Sequence, residues 1–102
     1  MIHDGVELLS HADKFDLIAG SLLNFLVPPN KGEVISLKKH YGCVIEATAI
    51  VFIEQIQRDI PDGEKGSLAQ KQKNYTIKQI RRLRTKYRKI SHKQLLKNVW
   101  KG

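Results

Sequence analysis

Helical periodicity, interrupted twice, is the feature that most constrains how this chain can fold. Apolar residues recur at intervals of three and four over long stretches, as they do on one face of an α-helix. Two segments rich in Pro and Gly interrupt the pattern: VPPNKG (27–32) and IPDGEKGS (60–67). Proline cannot continue a helix, and pairs such as Asp-Gly mark turns. The sequence therefore predicts an all-α fold.

The segment before the first interruption predicts one amphipathic helix over about residues 5–26. Asp4 followed by Glu7 has the spacing of a capping box, which marks a helix start, and the two prolines of VPPNKG end the helix. Its apolar stripe consists of Leu9, Ala12, Phe15, Ala19, Leu22 and Leu26.

A second helical region is expected to begin after Asn30, because Asn30 and Glu33 repeat the capping spacing. Gly42 could divide this region into two helices. The run TAIVFI (48–53) is rich in β-branched residues and could instead be a buried strand. The helical spacing on both sides favours helix, and we expect Ala49–Ile53 to be buried and helical. The apolar positions are Val34, Leu37, Tyr41, Ile45, Ala49, Phe52, Ile56 and Ile60.

The last third of the chain predicts further helices, since three Ser/Thr residues each precede a Gln by three positions. Ser67 and Thr76 are alternative starts of a helix ending near Lys89, and Ser91 is expected to start a short final helix. Segment 90–102 matches the first helix of a helix-turn-helix unit at only a few positions. Together, these helical segments predict one domain of four to five helices, arranged as a small bundle or orthogonal array. Its core would be residues 4–60, its linker 61–66 and its basic C-terminal helical arm 67–101.

Charge is distributed very unevenly along the chain. Residues 1–64 contain all ten Asp and Glu and five Lys or Arg, a net charge of −5, whereas residues 65–102 contain thirteen Lys or Arg and no acid, a net charge of +13. The excess acid of the first part could neutralise at most five of the thirteen cations. Such asymmetry points to nucleic acid or another polyanion as partner.

The cations of the last third predict a binding surface when they are placed on a helix. An apolar stripe of Ile77, Ile80, Leu83, Tyr87 and Ile90 leaves the charged side chains on the opposite side. Like charges four residues apart destabilise a helix, so a merely solvated face is normally mixed in sign, and the guanidinium group suits phosphate. The predicted nucleic-acid-binding residues are Lys78, Arg81, Arg82, Arg84, Lys86, Arg88, Lys89 and Lys93.

Two other functions fit the same residues. The first is a non-enzymatic protein that binds and modulates an acidic partner protein. The second is a small metal-independent ribonuclease, with His92 and Tyr87 as acid–base groups and Arg84 and Arg88 as phosphate clamps. The leading prediction is a small nucleic-acid-binding regulator, of the size found in phages or plasmids, and a homodimer is a further prediction.

Several classes of site are not indicated. Cys43 is the single cysteine, so the chain has no internal disulfide or cysteine metal cage. The four His residues lack metal-ligand spacing, no glycine-rich phosphate loop is present, and no cofactor is predicted. The N-terminal residues lack the pattern of a signal peptide, and no apolar run is long enough for a membrane span. We expect a cytoplasmic protein that does not enter membranes.

Overall fold

The computed structural model describes the backbone of residues 3–61 and 63–101, and the side chains of residues 11–61 and 63–101. It contains three long helices: α1 (His3–Phe25), α2 (Val34–Asp59) and α3 (Leu68–Asn98), with a short 3₁₀ turn at Lys31–Glu33. These ranges include no strand. The all-α prediction is confirmed, whereas the prediction of four to five helices is wrong.

Helix α3 is the central element of the bundle. It packs along both α1 and α2, which contact each other less extensively. Tyr87 bonds to Asp16 and Asn98 bonds to the carbonyl of Leu26, so α3 runs parallel to α1. The predicted basic arm is therefore not an appendage of a separate core but one of the three helices that form the core.

Helix α2 runs antiparallel to α3, and the bundle is elongated. Arg84 pairs with Glu46, whereas Lys73, near the start of α3, bonds to the carbonyl of Ile60, at the end of α2. The molecule measures 55 × 19 × 17 Å. This length is set by α3, because a helix of its 31 residues is about 46 Å long.

The core contains one stripe of side chains from each helix. Phe15 of α1 packs edge-on against Phe52 of α2, with ring centroids 5.7 Å apart. The Tyr41 hydroxyl donates a hydrogen bond of 2.7 Å to the carbonyl of Ala19, and burial raises the pKa of Tyr41 well above its ordinary value. The buried apolar residues are Phe15, Ala19, Leu23, Val34, Tyr41, Ile45, Ala49, Ile53, Ile56, Ile60, Ile77, Ile80 and Leu95.

Helix ends follow the sequence closely in the first two helices. Helix α1 begins at His3 and ends at Phe25; the side chains of Asp4 and Glu7 lie outside the described ones, so their capping role is untested. The side chain of Asn30 accepts a hydrogen bond of 3.2 Å from the backbone N–H of Glu33, which confirms the predicted cap.

Helix α2 is continuous through Gly42 and through the β-branched run. A single glycine costs only about 1 kcal/mol relative to alanine, too little to break a helix that packs well elsewhere. The prediction of helix for Ala49–Ile53 is confirmed, but the prediction that the whole run is buried is wrong. The helical period turns Ala49 and Ile53 inward and leaves Val51 59% exposed.

Helix α3 begins at the first of its three predicted caps and has no later break. The Ser67 hydroxyl accepts a hydrogen bond of 3.2 Å from the N–H of Gln70. Thr76 and Ser91 lie inside the helix, where their hydroxyls donate to the carbonyls of Gln72 and Arg88 at 2.9 Å. A preceding carbonyl satisfies each hydroxyl, so neither residue ends the helix. The predicted final short helix is wrong, and α3 contains no helix-turn-helix.

The buried stripe of α3 differs from the predicted one at its C-terminal end. Ile90 is 41% exposed, whereas Ser91 and Leu95 are buried. Because α3 continues past Lys89, its inner side follows the helical period from Ile80 to positions 91 and 95. The small Ser91 side chain occupies an inward position that sequence hydrophobicity assigned to its neighbour.

One cation of α3 serves the fold. The Lys73 side chain is 4% exposed, and its ammonium donates to the carbonyl of Ile60 at 2.6 Å and to that of Gln57 at 3.4 Å. These carbonyls lie at the C-terminal end of α2, where the helix dipole favours a cation. Lys73 therefore fastens the start of α3 to the end of α2.

Candidate nucleic-acid interface

The outer face of α3 is a row of exposed cations. It is formed by five residues at steps of four, four, three and four, on the side of the helix away from α1 and α2. They are Lys78, Arg82, Lys86, Lys89 and Lys93. From the first to the last the row extends about 22 Å along the helix.

The carboxylates among the described side chains leave this row unpaired. For the eight predicted site residues, the described side chains supply one acidic partner, Glu46, which contacts Arg84 at 3.2 Å and Arg88 at 3.5 Å. The five residues of the outer face have no such partner within the described part of the chain; Lys86 only stacks over the Tyr87 ring, 5.4 Å from its centroid. The described carboxylates therefore do not neutralise the row.

A second basic surface lies between α2 and α3. The two antiparallel helices border an open groove of about 1350 Å³, here called the α2/α3 groove. Cations from both helices line it: Lys38, Lys39, Arg84, Arg88 and Lys89. Lys38 and Lys39 were not among the predicted site residues, because they belong to the acidic first part of the sequence. Only the antiparallel packing of α2 on α3 brings them opposite the cations of α3.

The predicted site residues thus divide into two groups. Arg84, Arg88 and Lys89 line the groove, while the rest of the outer face, together with the exposed Arg81, points elsewhere on α3. Lys89 belongs to both surfaces. The division follows from the helical period, since eight residues spread over sixteen positions cover more than one side of a helix.

Glu46 holds its two arginines only loosely. Its carboxylate oxygens accept single, rather long hydrogen bonds, and the side chains of Glu46 and Arg88 are partly exposed. Such ion pairs contribute at most about 1 kcal/mol. The Nε of Arg84 is buried and has no hydrogen-bond partner among the described residues. The arrangement positions two guanidinium groups in the groove without neutralising both of them.

The residues proposed for ribonuclease chemistry do not meet. His92, Arg84 and Arg88 line the α2/α3 groove, but Tyr87 faces α1, where its hydroxyl donates a short hydrogen bond to Asp16. Burial, followed by the hydrogen bond and the charge of Asp16, raises the pKa of Tyr87 to about 12. Tyr87 is therefore a protonated structural group on a different side of α3, and the predicted acid–base pair is not assembled.

The described part of the chain contains neither a cluster of metal-binding side chains nor a membrane-spanning helix. In that part of the chain, no three His, Cys, Asp or Glu side chains come together as a metal ion would require. None of the three helices, over its described residues, is both long and apolar enough to cross a bilayer. The chain matches no protein-family model, no curated protein and no solved structure.

Proposed function

We propose that this protein binds nucleic acid through the outer face of α3. The observation that carries the proposal is a row of five exposed cations with no acidic partner among the described residues. A helix that accepts like charges four residues apart loses stability, and a bound polyanion removes that repulsion. Lys38 and Lys39, on the rim of the neighbouring groove, extend the positive surface beyond α3.

Binding of this kind is dominated by phosphate. Lys and Arg that neutralise phosphates release condensed counterions, which gives affinity with little dependence on base sequence. The ligand chemistry is the phosphodiester backbone common to DNA and RNA. The role as a small cytoplasmic regulator and the assembly into homodimers stay predictions from the sequence.

The test is binding measured over a salt series. Fluorescence anisotropy with labelled duplex DNA and single-stranded RNA, at about 50 to 300 mM KCl, should give an affinity that falls steeply with salt. If about six cations contact phosphates, log K should fall with log salt at a slope near −5 on duplex DNA. A wild-type protein that binds neither nucleic acid at low salt would refute the proposal.

Charge-matched variants then locate the surface. Replacing Lys78, Arg82 and Lys93 by Gln should reduce the duplex salt slope by up to about three units. The matched control replaces the exposed Lys14, Lys31 and Lys65 by Gln, which removes the same net charge elsewhere. Equal losses in the two triple variants would mean that net charge, and not the outer face of α3, governs binding.

A second candidate function, binding of an acidic partner protein, is favoured by the composition of the α2/α3 groove. Its walls combine cations with exposed apolar side chains, a mixture that phosphate contact does not require. The two functions use adjacent surfaces that share Lys89.

A further inference from the structure

We infer that the α2/α3 groove is the docking site for an acidic amphipathic helix of a partner protein. This inference does not depend on nucleic-acid binding by the outer face of α3. It rests on the shape of the groove, on the apolar side chains exposed in it and on the charge around it.

The shape fits an added helix. Two long antiparallel helices form the walls, and the open volume of about 1350 Å³ is comparable to that of about three helical turns. A helix lying there would convert the three-helix bundle into a four-helix one, with each wall helix packed on a further side. Such helix-in-groove recognition is a recurrent mode of peptide binding.

The groove contains apolar anchors on a floor of small residues. Ile35 and Ile50 of α2 line it and are 60% and 46% exposed, so neither is used by the core. They lie about 22 Å apart along α2, or four turns. Gly42 and Ala47 lie between them, and a Cβ atom placed on Gly42 would meet nothing closer than the Nε of Arg88 at 4.0 Å. An incoming helix can therefore approach α2 closely between two apolar contacts.

The positive charge around the groove favours acidic residues on both sides of the apolar stripe of the docked helix. The groove is lined by five Lys or Arg and by one carboxylate, Glu46, which already contacts two of the arginines. Acidic residues beside the apolar stripe of the partner would face Lys38, Lys39 and Lys89. An apolar centre with a charged rim is the usual arrangement of a protein interface, in which complementary charge provides specificity and a fast association rate.

Nucleic acid fits the groove less well than a helix does. Grooves that hold single strands stack bases on aromatic side chains, whereas the described residues that line this one include no Phe, Tyr or Trp and a single imidazole ring, that of His92. Isoleucine side chains on the wall offer nothing to a phosphate. A protein partner uses both the apolar and the charged residues, so the groove and the outer face of α3 are assigned different ligands.

The experiment uses the full chain and designed peptides of about 18 residues, five helical turns. The probe has Leu at a helical i, i+3, i+4, i+7 spacing and Glu at most remaining positions. A control peptide has the same composition with Leu distributed around all sides of the helix. We expect saturable binding of the amphipathic probe only, and amide chemical-shift changes in ¹⁵N spectra centred on Gly42, Ala47 and Arg88.

Three variants make the inference falsifiable. Ile35→Ser with Ile50→Ser should weaken binding of the probe about tenfold or more, and so should the rim triple Lys38→Gln, Lys39→Gln and Lys89→Gln. The outer-face triple Lys78→Gln, Arg82→Gln and Lys93→Gln loses the same charge and should change affinity less than about threefold. All substituted residues are exposed, and thermal melts should show that each variant is folded.

Any of three results would overturn the inference: no binding of the amphipathic probe at about 1 mM, equal binding of the control peptide, or an equal loss of affinity in the outer-face triple. Duplex DNA serves as competitor. If it displaces the probe and shifts the amides of Gly42 and Ala47, the groove is a nucleic-acid site instead. Failure of wild-type protein to bind DNA would leave the peptide result, and the inference, standing.

Discussion

The outer faces of α1 and α3 belong to the same small bundle and have opposite chemistry. On α3, over residues 78–93, the exposed side chains are mostly cations. On α1 and the segment that follows it they are largely apolar, and Phe25 is 83% exposed. Among the described side chains, the exposed apolar residues there are Leu17, Ile18, Leu22, Phe25 and Val27.

This contrast distinguishes the features that folding of the bundle requires from surface features that folding does not require. A helical bundle needs one apolar stripe on each helix and imposes little on the remaining sides. The outer face of α1 exposes large apolar side chains that the core leaves uncovered, and the outer face of α3 accepts charge repulsion that the core does not need. Both faces are therefore expected to make contacts outside the monomer, with an apolar surface in one case and a polyanion in the other.

The largest expected effect is on the free energy of unfolding, and it distinguishes a buried position of α3 from an exposed one. Ile80→Asp places a carboxylate in the core without a partner and should lower the free energy of unfolding by about 4 kcal/mol or more. Ile90→Asp, on the same helix but 41% exposed, should cost less than about 1 kcal/mol. Urea unfolding followed by circular dichroism measures both. Similar losses in the two variants would contradict the position of the buried stripe.

The next largest expected effect is on affinity for nucleic acid, and it tests the outer face of α3 directly. Reversing three charges with Lys78→Glu, Arg82→Glu and Lys93→Glu should reduce affinity for duplex DNA at least about a hundredfold, because three cations are lost and three repelling charges are added. The helix should remain folded, and relief of repulsion at i,i+4 could stabilise it by a few tenths of a kcal/mol, at about 0.3 per pair. A folded triple variant that binds DNA like the wild type would remove the outer face of α3 from the interface. Reversal of Lys14, Lys31 and Lys65 is the matched control.

A smaller effect is expected on dimer formation through the outer face of α1. If the predicted homodimer forms through α1, Phe25→Glu should weaken it about tenfold to a hundredfold, the equivalent of burying one large apolar side chain. Helix content should not change, because Phe25 makes no part of the core. Sedimentation equilibrium over a concentration series measures the association. A wild-type chain that is monomeric at high micromolar concentration would exclude the dimer.

The smallest expected effect is on the pH dependence of stability, and it concerns Tyr87, which faces α1. Its pKa is raised to about 12 in the folded protein, whereas an unfolded tyrosine titrates near 10. A raised pKa in the folded state means that the stabilisation is complete below about pH 10 and is lost progressively as the pH rises through about 12. Unfolding free energies measured between pH 9 and 12 should therefore fall less steeply for Tyr87→Phe than for the wild type. Curves of equal slope for Tyr87→Phe and the wild type would contradict this role of Tyr87.

The sequence by itself determined the features that depend on near neighbours along the chain. Helix ends at the two prolines, at Asn30 and at Ser67 follow from backbone chemistry within three or four residues. The helical class followed from the spacing of apolar residues. The segregation of charge into the last third of the chain is a property of the sequence alone.

Only the tertiary structure decided the rest, because the competing interactions come from residues far apart in sequence. Gly42 and Ser91 could each have ended a helix, and packing of α2 and α3 against each other outweighs those local preferences. Burial of Ser91 in place of Ile90 depends on where α3 meets its two neighbours. Lys38 and Lys39 join the cations of α3 because α2 runs antiparallel to it, and no local pattern in the sequence contains that direction.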